Sequence, residues 1–332
     1  MIKTRLLSLA ALAASAVLLA GCSGANAGDA DTAGDADTAG DAADGIQVVA
    51  STNVYGSIAE AVGGDHVDVT SIIDNAAQDP HEFEASARDQ LRVKRAGLVI
   101  SNGGGFDPFM DGLVEASGTT ATVLTAATLS PDYPGGAGGH ADDHDADHAE
   151  QDHDHDHLEG FNEHVFYDPA VMAALAEKIA EALGDIDAAH AADYTSNAQA
   201  FADGIQPITD ALADLKAAHE GAGVFVTEPL PLYLTDAAGL DNKTPSAFSE
   251  AVEEGQDVAP ATLLEALKII SSTQVAVVIV NAQAAGAETD RVEHEAQDAG
   301  IPVLRFSELL PDGKTYLTWM ADNVAQLSDA LD

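Results

Sequence analysis

The sequence predicts an α/β protein: two Rossmann-like domains with parallel sheets, joined by one long linking helix, with a ligand site in the cleft between the domains. Three observations carry this. From residue 46 onward short β-rich runs alternate with helical stretches, a spacing that argues for βαβ units and parallel sheets. An alanine-rich stretch of helical periodicity, residues 169–218, interrupts the alternation. The same strand–helix grammar resumes at residue 223 and runs to the end. A folded part of residues 46–332 is long enough for two substantial cores. The expected boundaries are 46–168 for the first domain, 169–220 for the linking helices and 221–332 for the second domain.

In the first half, Ile46-Gln47-Val48-Val49-Ala50 reads as the opening strand. A helix over 57–62, a strand over 67–73, a helix over 86–95, a strand over 97–101, a helix over 108–116 and a short strand over 121–124 follow. Asn102-Gly103-Gly104-Gly105 lacks a following Lys-Ser or Lys-Thr, so it reads as a tight turn after a strand rather than a phosphate cradle. Val171, Leu175, Ile179 and Leu183 fall at helical spacing and predict a helix to about residue 183, then a long one over 186–216. Gly204 and Pro207 lie inside the second, so a kink or break is expected there. The second half reads as a strand over 223–227, a helix over 261–271, a buried apolar strand over 275–280, a helix over 288–298, a strand over 303–306 and a last helix over 315–331.

The N-terminus bears on location. Lys3 and Arg5 precede an apolar run, residues 6–19, that is too short for a permanent membrane span. It ends in Leu19-Ala20-Gly21-Cys22, which holds the chain's single cysteine. This resembles a bacterial lipoprotein signal, with residues 1–21 cleaved and lipid attached to the sulfur of Cys22. An ordinary secretory signal with an incidental cysteine is the alternative. The mature protein is therefore expected to be exported, anchored to the outer face of the cell membrane and free of internal disulfides. Residues 22–45 follow as an acidic tether. Six aspartates and no large apolar residue between 28 and 45 leave nothing to offset chain entropy, so this segment is expected to be extended and disordered.

Thirteen basic against 56 acidic residues give a net charge of −43, which repels nucleic acid and anionic headgroups, so no nucleic-acid partner is expected. Acidity spread over the whole chain is the mark of a salt-adapted or acid-biased composition and says nothing about metal by itself.

Four short segments carry chemistry: Asp79-Pro80-His81-Glu82, Asn162-Glu163-His164-Val165-Phe166-Tyr167-Asp168-Pro169, Thr227-Glu228-Pro229 and Phe306-Ser307-Glu308. Each lies at a strand end or in a loop before a helix, where open parallel sheets bind ligands. Two imidazoles from the first half and two carboxylates from the second are N and O donors suited to a divalent transition metal. Between the histidine segments, residues 140–157 hold six histidines (His140, His144, His148, His153, His155, His157) and eight acidic residues with no lysine or arginine. This loop, within 139–160, is expected to be disordered without metal and to gather zinc weakly through shifting pairs. A solvated acidic loop without a role is the bland alternative. Asp290 is a rival ligand near the start of a helix. His66, His190, His219 and His294 read as exposed or locally hydrogen-bonded.

The two histidine segments resemble the histidine motifs of the zinc/manganese substrate-binding lipoproteins of ABC importers, and the likeness extends over about residues 46–332. It includes the His-rich loop, the long helix after the second motif, and Thr227-Glu228-Pro229 through Tyr233-Leu234, where members carry a third ligand, His or Glu. At the fourth position members usually carry Asp, and this chain has Glu308. The resemblance implies a metal set of His81, His164, Glu228 and Glu308, Zn(II) or Mn(II) as the transported ion, an ABC permease with its ATPase as partners, and a monomer. The second motif usually reads Asn-Pro-His. Here Glu163 replaces the proline, a change expected to act on loop stiffness more than on ligand chemistry. Glu308 is one methylene longer than Asp, which leaves monodentate and bidentate binding open. Two carboxylates beside two imidazoles suit manganese, while the His/Asp loop and the general affinity order favour zinc.

Two other function classes are consistent with such donors. A zinc hydrolase also uses histidines and a carboxylate, but His81-Glu82-Phe83-Glu84-Ala85 has alanine where a zincin helix needs its second histidine, so no enzyme is expected. A metal-binding adhesion lipoprotein would not require donors converging from both halves.

Overall fold

The computed structural model of the chain describes residues 45–75, 78–134, 158, 160–284 and 286–332. The signal segment, Cys22, residues 22–44 of the tether and the six histidines of the His-rich loop lie outside the described residues. Among the described residues no helix is long and apolar enough to cross a membrane.

The first half contains β1 (Ile46–Thr52), α1 (Asn53–Gly63), β2 (Val67–Ile73), α2 (Ala87–Arg95), β3 (Leu98–Ser101), α3 (Pro108–Ser117) and β4 (Thr122–Thr125). All pairings are parallel, in the order β2-β1-β3-β4, with Val48 in register with Val69 on one side and Leu98 on the other. A parallel sheet covered on both faces needs apolar residues at successive positions, and Val48, Val49 and Ala50 are all buried. Helix starts follow local chemistry. Ser86 and Asp89 form a reciprocal capping box at α2, and Pro108 opens α3, which ends at Gly118 in the left-handed conformation (φ 58°).

The helical middle consists of α4 (Pro169–Ile186), whose first amides are capped by Asp168 at 2.8 Å, and the 29-residue α5 (Ala191–His219), which pack on each other. The break expected at Gly204 and Pro207 does not occur, and α5 runs unbroken through both. Pro207 is exposed, so water can satisfy the carbonyl four residues back that loses its partner. Gly204 has a packing reason, since a Cβ there would lie 2.5 Å from the side chain of Leu317.

The second half contains β5 (Gly223–Val226), α6 (Leu232–Ala237), β6 (Asp241–Asn242), α7 (Ser246–Glu253), α8 (Pro260–Ile270), β7 (Val277–Asn281), α9 (Ala287–Asp298), β8 (Val303–Phe306) and α10 (Tyr316–Leu331). Its sheet is again parallel, in the order β6-β5-β7-β8. The sequence reading missed α6, α7 and β6. The first two are short, and the third is two polar residues with no apolar signal.

One hydrophobic core spans both halves, from Val48 and Ile100 through Leu175 and Phe201 to Val226, Phe306 and Trp319. Polar ties reinforce it. Asn53 bonds the backbone of Leu310 in both directions at 2.9 Å, the Tyr316 amide donates to Ser57 Oγ at 3.1 Å, and the Tyr316 hydroxyl donates to the Phe166 carbonyl at 3.0 Å. Trp319, 3% exposed, lies against Phe166, Tyr167 and Tyr316 at ring separations of 6.4, 5.5 and 6.3 Å. Trp319→Ala is expected to lower unfolding free energy by about 3–5 kcal/mol in urea titrations, through lost burial and a residual cavity.

Candidate metal centre

Both sheets reverse their strand order between two central strands, β1 and β3 in one, β5 and β7 in the other. Side chains beyond the carboxyl ends of such strands face a crevice, and the four sequence-identified segments all occupy this side.

His81 follows β2. Its amide donates to Asp79 Oδ1 at 2.9 Å, an Asx-type turn that aims the half-buried imidazole edge-on at Phe106, 5.1 Å away at 82°. His164 is 1% exposed. Its amide and Nδ1 both lie against Asn162 Oδ1, at 3.1 and 2.9 Å. Because Asn162 Nδ2 donates to the Pro229 carbonyl at 3.1 Å, the amide oxygen faces the ring. Nδ1 therefore carries the proton and Nε2 keeps its lone pair for a metal. The segment is held from two more sides. Asn102 Nδ2 donates to the Glu163 carbonyl at 2.9 Å, and the Tyr233 hydroxyl donates to the Asn162 carbonyl at 2.7 Å. The two imidazoles end 6.0 Å apart, centre to centre, against Phe106.

From the second half, Glu228 and Glu308 are each 4% exposed. Glu308 sits just past β8, its amide donating to Gln283 Oε1 at 3.1 Å, and the Tyr167 hydroxyl holds the neighbouring Ser307 carbonyl at 2.9 Å. Donor atoms of His81, His164 and Glu308 all lie within 4.8 Å of one another. Glu228 is not within that trio but is tied to it by Asn281, the last residue of β7, whose Nδ2 donates to Glu228 Oε2 at 2.5 Å and to Glu308 Oε1 at 2.7 Å. Glu308 Oε2 is buried with no hydrogen-bond partner, a costly arrangement that a cation relieves.

A second trio, Glu163, His164 and Glu253, adjoins the first. Glu163, read from the sequence as a matter of loop stiffness, is one of this trio. Its carboxyl is buried (2% exposed) and meets that of Glu253, the last residue of α7, whose Oε1 lies 3.9 Å from His164 Nδ1. Sequence reasoning missed Asn281 and Glu253, and quoted Asn162 within its segment without a role. Asn281 had a signal, a polar residue closing an apolar strand, whereas Glu253 ends a helix that was not foreseen.

The other candidates lie elsewhere. Asp290 is exposed on α9 and does not line the cavity. His66 and His190 stack at 3.9 Å, with His190 bonded to Asp187 at 2.5 Å, while His219 approaches Asp332 at 3.5 Å and His294 bonds its own helix at 2.8 Å. Gly103 to Gly105 all have positive φ and form the turn after β3, pinned by the Asp107 carboxylate, which accepts from the Asn102 and Gly103 amides at 2.7 Å each.

The cavity beside these residues, about 470 Å³, is lined, among the described residues, by several carboxylates and by no lysine or arginine. Burial pushes Glu228 up to about 7; the Asn281 bond opposes this, and the charges of Asp79 and Glu163 add to it. Burial, then Glu228 and Asp79, push Glu308 up to about 8. Glu253 is raised by burial and by Glu163. Without a cation these groups hold protons, and a metal ion displaces them.

Comparison with known proteins gives the family and the fold it resembles. The family described as zinc-uptake complex component A, periplasmic (ZnuA), matches residues 48–330. The chain is 26% identical over 309 residues to the iron ABC transporter substrate-binding lipoprotein MtsA of Streptococcus pyogenes serotype M1, covering 87% of this chain and 89% of that one. It is 24% identical over 305 residues to the manganese ABC transporter substrate-binding lipoprotein PsaA of Streptococcus pneumoniae serotype 4, covering 86% and 89%. In fold it is similar to the laminin-binding protein Lmb of Streptococcus agalactiae, described as bifunctional with adhesin and metal transporting activity. That match has a TM-score of 0.67 and 22% identity, covering 87% of this chain and all of that one.

The raised carboxyls make stability depend on pH. Glu228 and Glu308 titrate at about 7 and 8 when folded, against 4.5 as the ordinary value, so the metal-free folded state holds more protons than the unfolded chain between those limits. Their contribution to unfolding free energy therefore falls as pH rises from about 5 to about 8. Calorimetry of metal-free protein is expected to give a lower Tm at pH 8 than at pH 6, and equimolar zinc is expected to raise Tm more at pH 8 than at pH 6.

Proposed function

Since the chain belongs to the zinc-uptake complex component A family, we propose that it captures a divalent transition metal, zinc or manganese, outside the membrane and delivers it to a cognate ABC permease driven by a separate ATPase. The observation that carries this reading is the convergence of two imidazoles and a partnerless buried carboxylate oxygen beside a cavity lined, among the described residues, by several carboxylates and by no lysine or arginine. His81, His164, Glu228 and Glu308 are the proposed ligands. Residues 46–168 and 221–332 act as the two domains that contribute them, on either side of the helices of 169–220.

Capture fits these residues better than catalysis. Four protein donors fill a tetrahedral zinc shell and leave no open position for an activated water, and the family is one of uptake components rather than hydrolases. Adhesion, named for one relative of similar fold, needs no converging donors. Lipid on Cys22 is proposed as the anchor, in keeping with the lipoprotein names of MtsA and PsaA. The acidic tether holds the monomeric body off the membrane, and the His-rich loop supplies weak accessory zinc binding through His140, His144, His148, His153, His155 and His157.

Two experiments test this reading. His81→Ala and His164→Ala are each expected to weaken zinc binding at least about tenfold in isothermal titration while leaving the circular dichroism spectrum intact. Wild-type affinity in both would refute the ligand set. Deleting residues 139–157 is expected to remove weak equivalents of bound zinc and keep one tight equivalent. Loss of the tight equivalent would put the ligands in the loop instead.

A further inference from the structure

We infer that Asn281 sets the denticity of the two carboxylate ligands and thereby the preference of the site for zinc over manganese. This rests on the metal-capture reading and goes beyond it, because a hydrogen-bond donor that touches no metal would select the cargo.

A carboxamide nitrogen has two N–H donors. At Asn281 both are used, one on Glu228 Oε2 at 2.5 Å and one on Glu308 Oε1 at 2.7 Å. The amide cannot flip without loss, because its Oδ1 accepts the Gln283 amide at 3.0 Å. The backbone beneath it is fixed as well. The Asn281 amide donates to Thr227 Oγ1 at 3.2 Å, and the residue is 4% exposed at the end of the central strand β7. The clamp is therefore rigid and joins the last residue of β7 to residues that follow two other strands, β5 and β8.

One oxygen of each carboxylate thus accepts from the amide, which leaves the other oxygen the less encumbered donor to a metal. On Glu308 the other oxygen, Oε2, is the buried atom without a partner. Each glutamate then offers a single oxygen, and with one nitrogen from each of His81 and His164 the set is two N and two O. A shell of four such donors suits zinc, and Glu228, which lies outside the trio of His81, His164 and Glu308, would close on the ion to complete it. Manganese favours six donors rich in oxygen. It would have to draw the second oxygen of a glutamate away from Asn281, or recruit waters, to fill its shell.

The test compares wild type with Asn281→Leu, which keeps the branched heavy-atom skeleton and removes the donors, and with Asn281→Ala. Zinc and manganese affinities are measured by competition with a chromophoric chelator, and the zinc shell by X-ray absorption. Wild type is expected to show four N/O donors at about 2.0–2.2 Å. Both variants are expected to gain at least one oxygen donor, and their zinc-to-manganese affinity ratio to fall at least about tenfold, the scale on which outer-shell partners act. An unchanged ratio with an unchanged four-donor shell in a cooperatively folding variant would overturn the role of Asn281. A shell of five or more donors in wild type would do so without any variant. Failure of wild type to bind either ion tightly would instead remove the metal-capture reading itself.

Discussion

A cluster of buried carboxylates is the constraint on which the rest of this molecule depends. Glu163, Glu228, Glu253 and Glu308 are all largely withdrawn from water, and among the described residues no lysine or arginine lines the cavity beside them. Two like charges about 4 Å apart at an effective dielectric near 20 repel by about 4 kcal/mol. The metal-free protein answers by holding protons, which is what the upward shifts of Glu228 and Glu308 express. A divalent cation supplies the missing positive charge, so binding and proton release are two sides of one exchange.

Such a cluster persists only if the scaffold denies it room to relax. The aromatic wall of Phe106, Phe166, Tyr167 and Trp319 and the core shared by both sheets provide that resistance. The polar ties from one half to the other run through the ligand segments themselves: Asn162 to Pro229, Tyr233 to Asn162, and Tyr167 to Ser307. Each fixes a backbone within a few residues of a proposed ligand. Donors mounted on such supports are placed more accurately than loop residues alone would be.

The fold also explains why an ordinary α/β scaffold serves here. Strand ends of two parallel sheets open toward the same crevice, and each sheet reverses its order there. Short excursions after β2, β5 and β8 then suffice to deliver three of the four side chains. Only His164 arrives on a longer connection, and that stretch has the densest set of hydrogen bonds, from Asn102, Asn162 and Tyr233.

The sequence by itself determined the α/β class, most helices and strands, and the histidine segments with their strand-end carboxylates. Those signals are local: periodicity reports which face of an element is buried, and turn residues report where it stops. Only the tertiary structure decided that α5 passes unbroken through Pro207, because whether a lost hydrogen bond matters depends on whether that face meets water. It alone turned Glu163 from a loop residue into a buried partner of Glu253, and placed Asn281 between Glu228 and Glu308. These relations join residues from strands and helices far apart in the chain. Their physics, which lies in desolvation and in hydrogen-bond distance, comes into being when the segments pack.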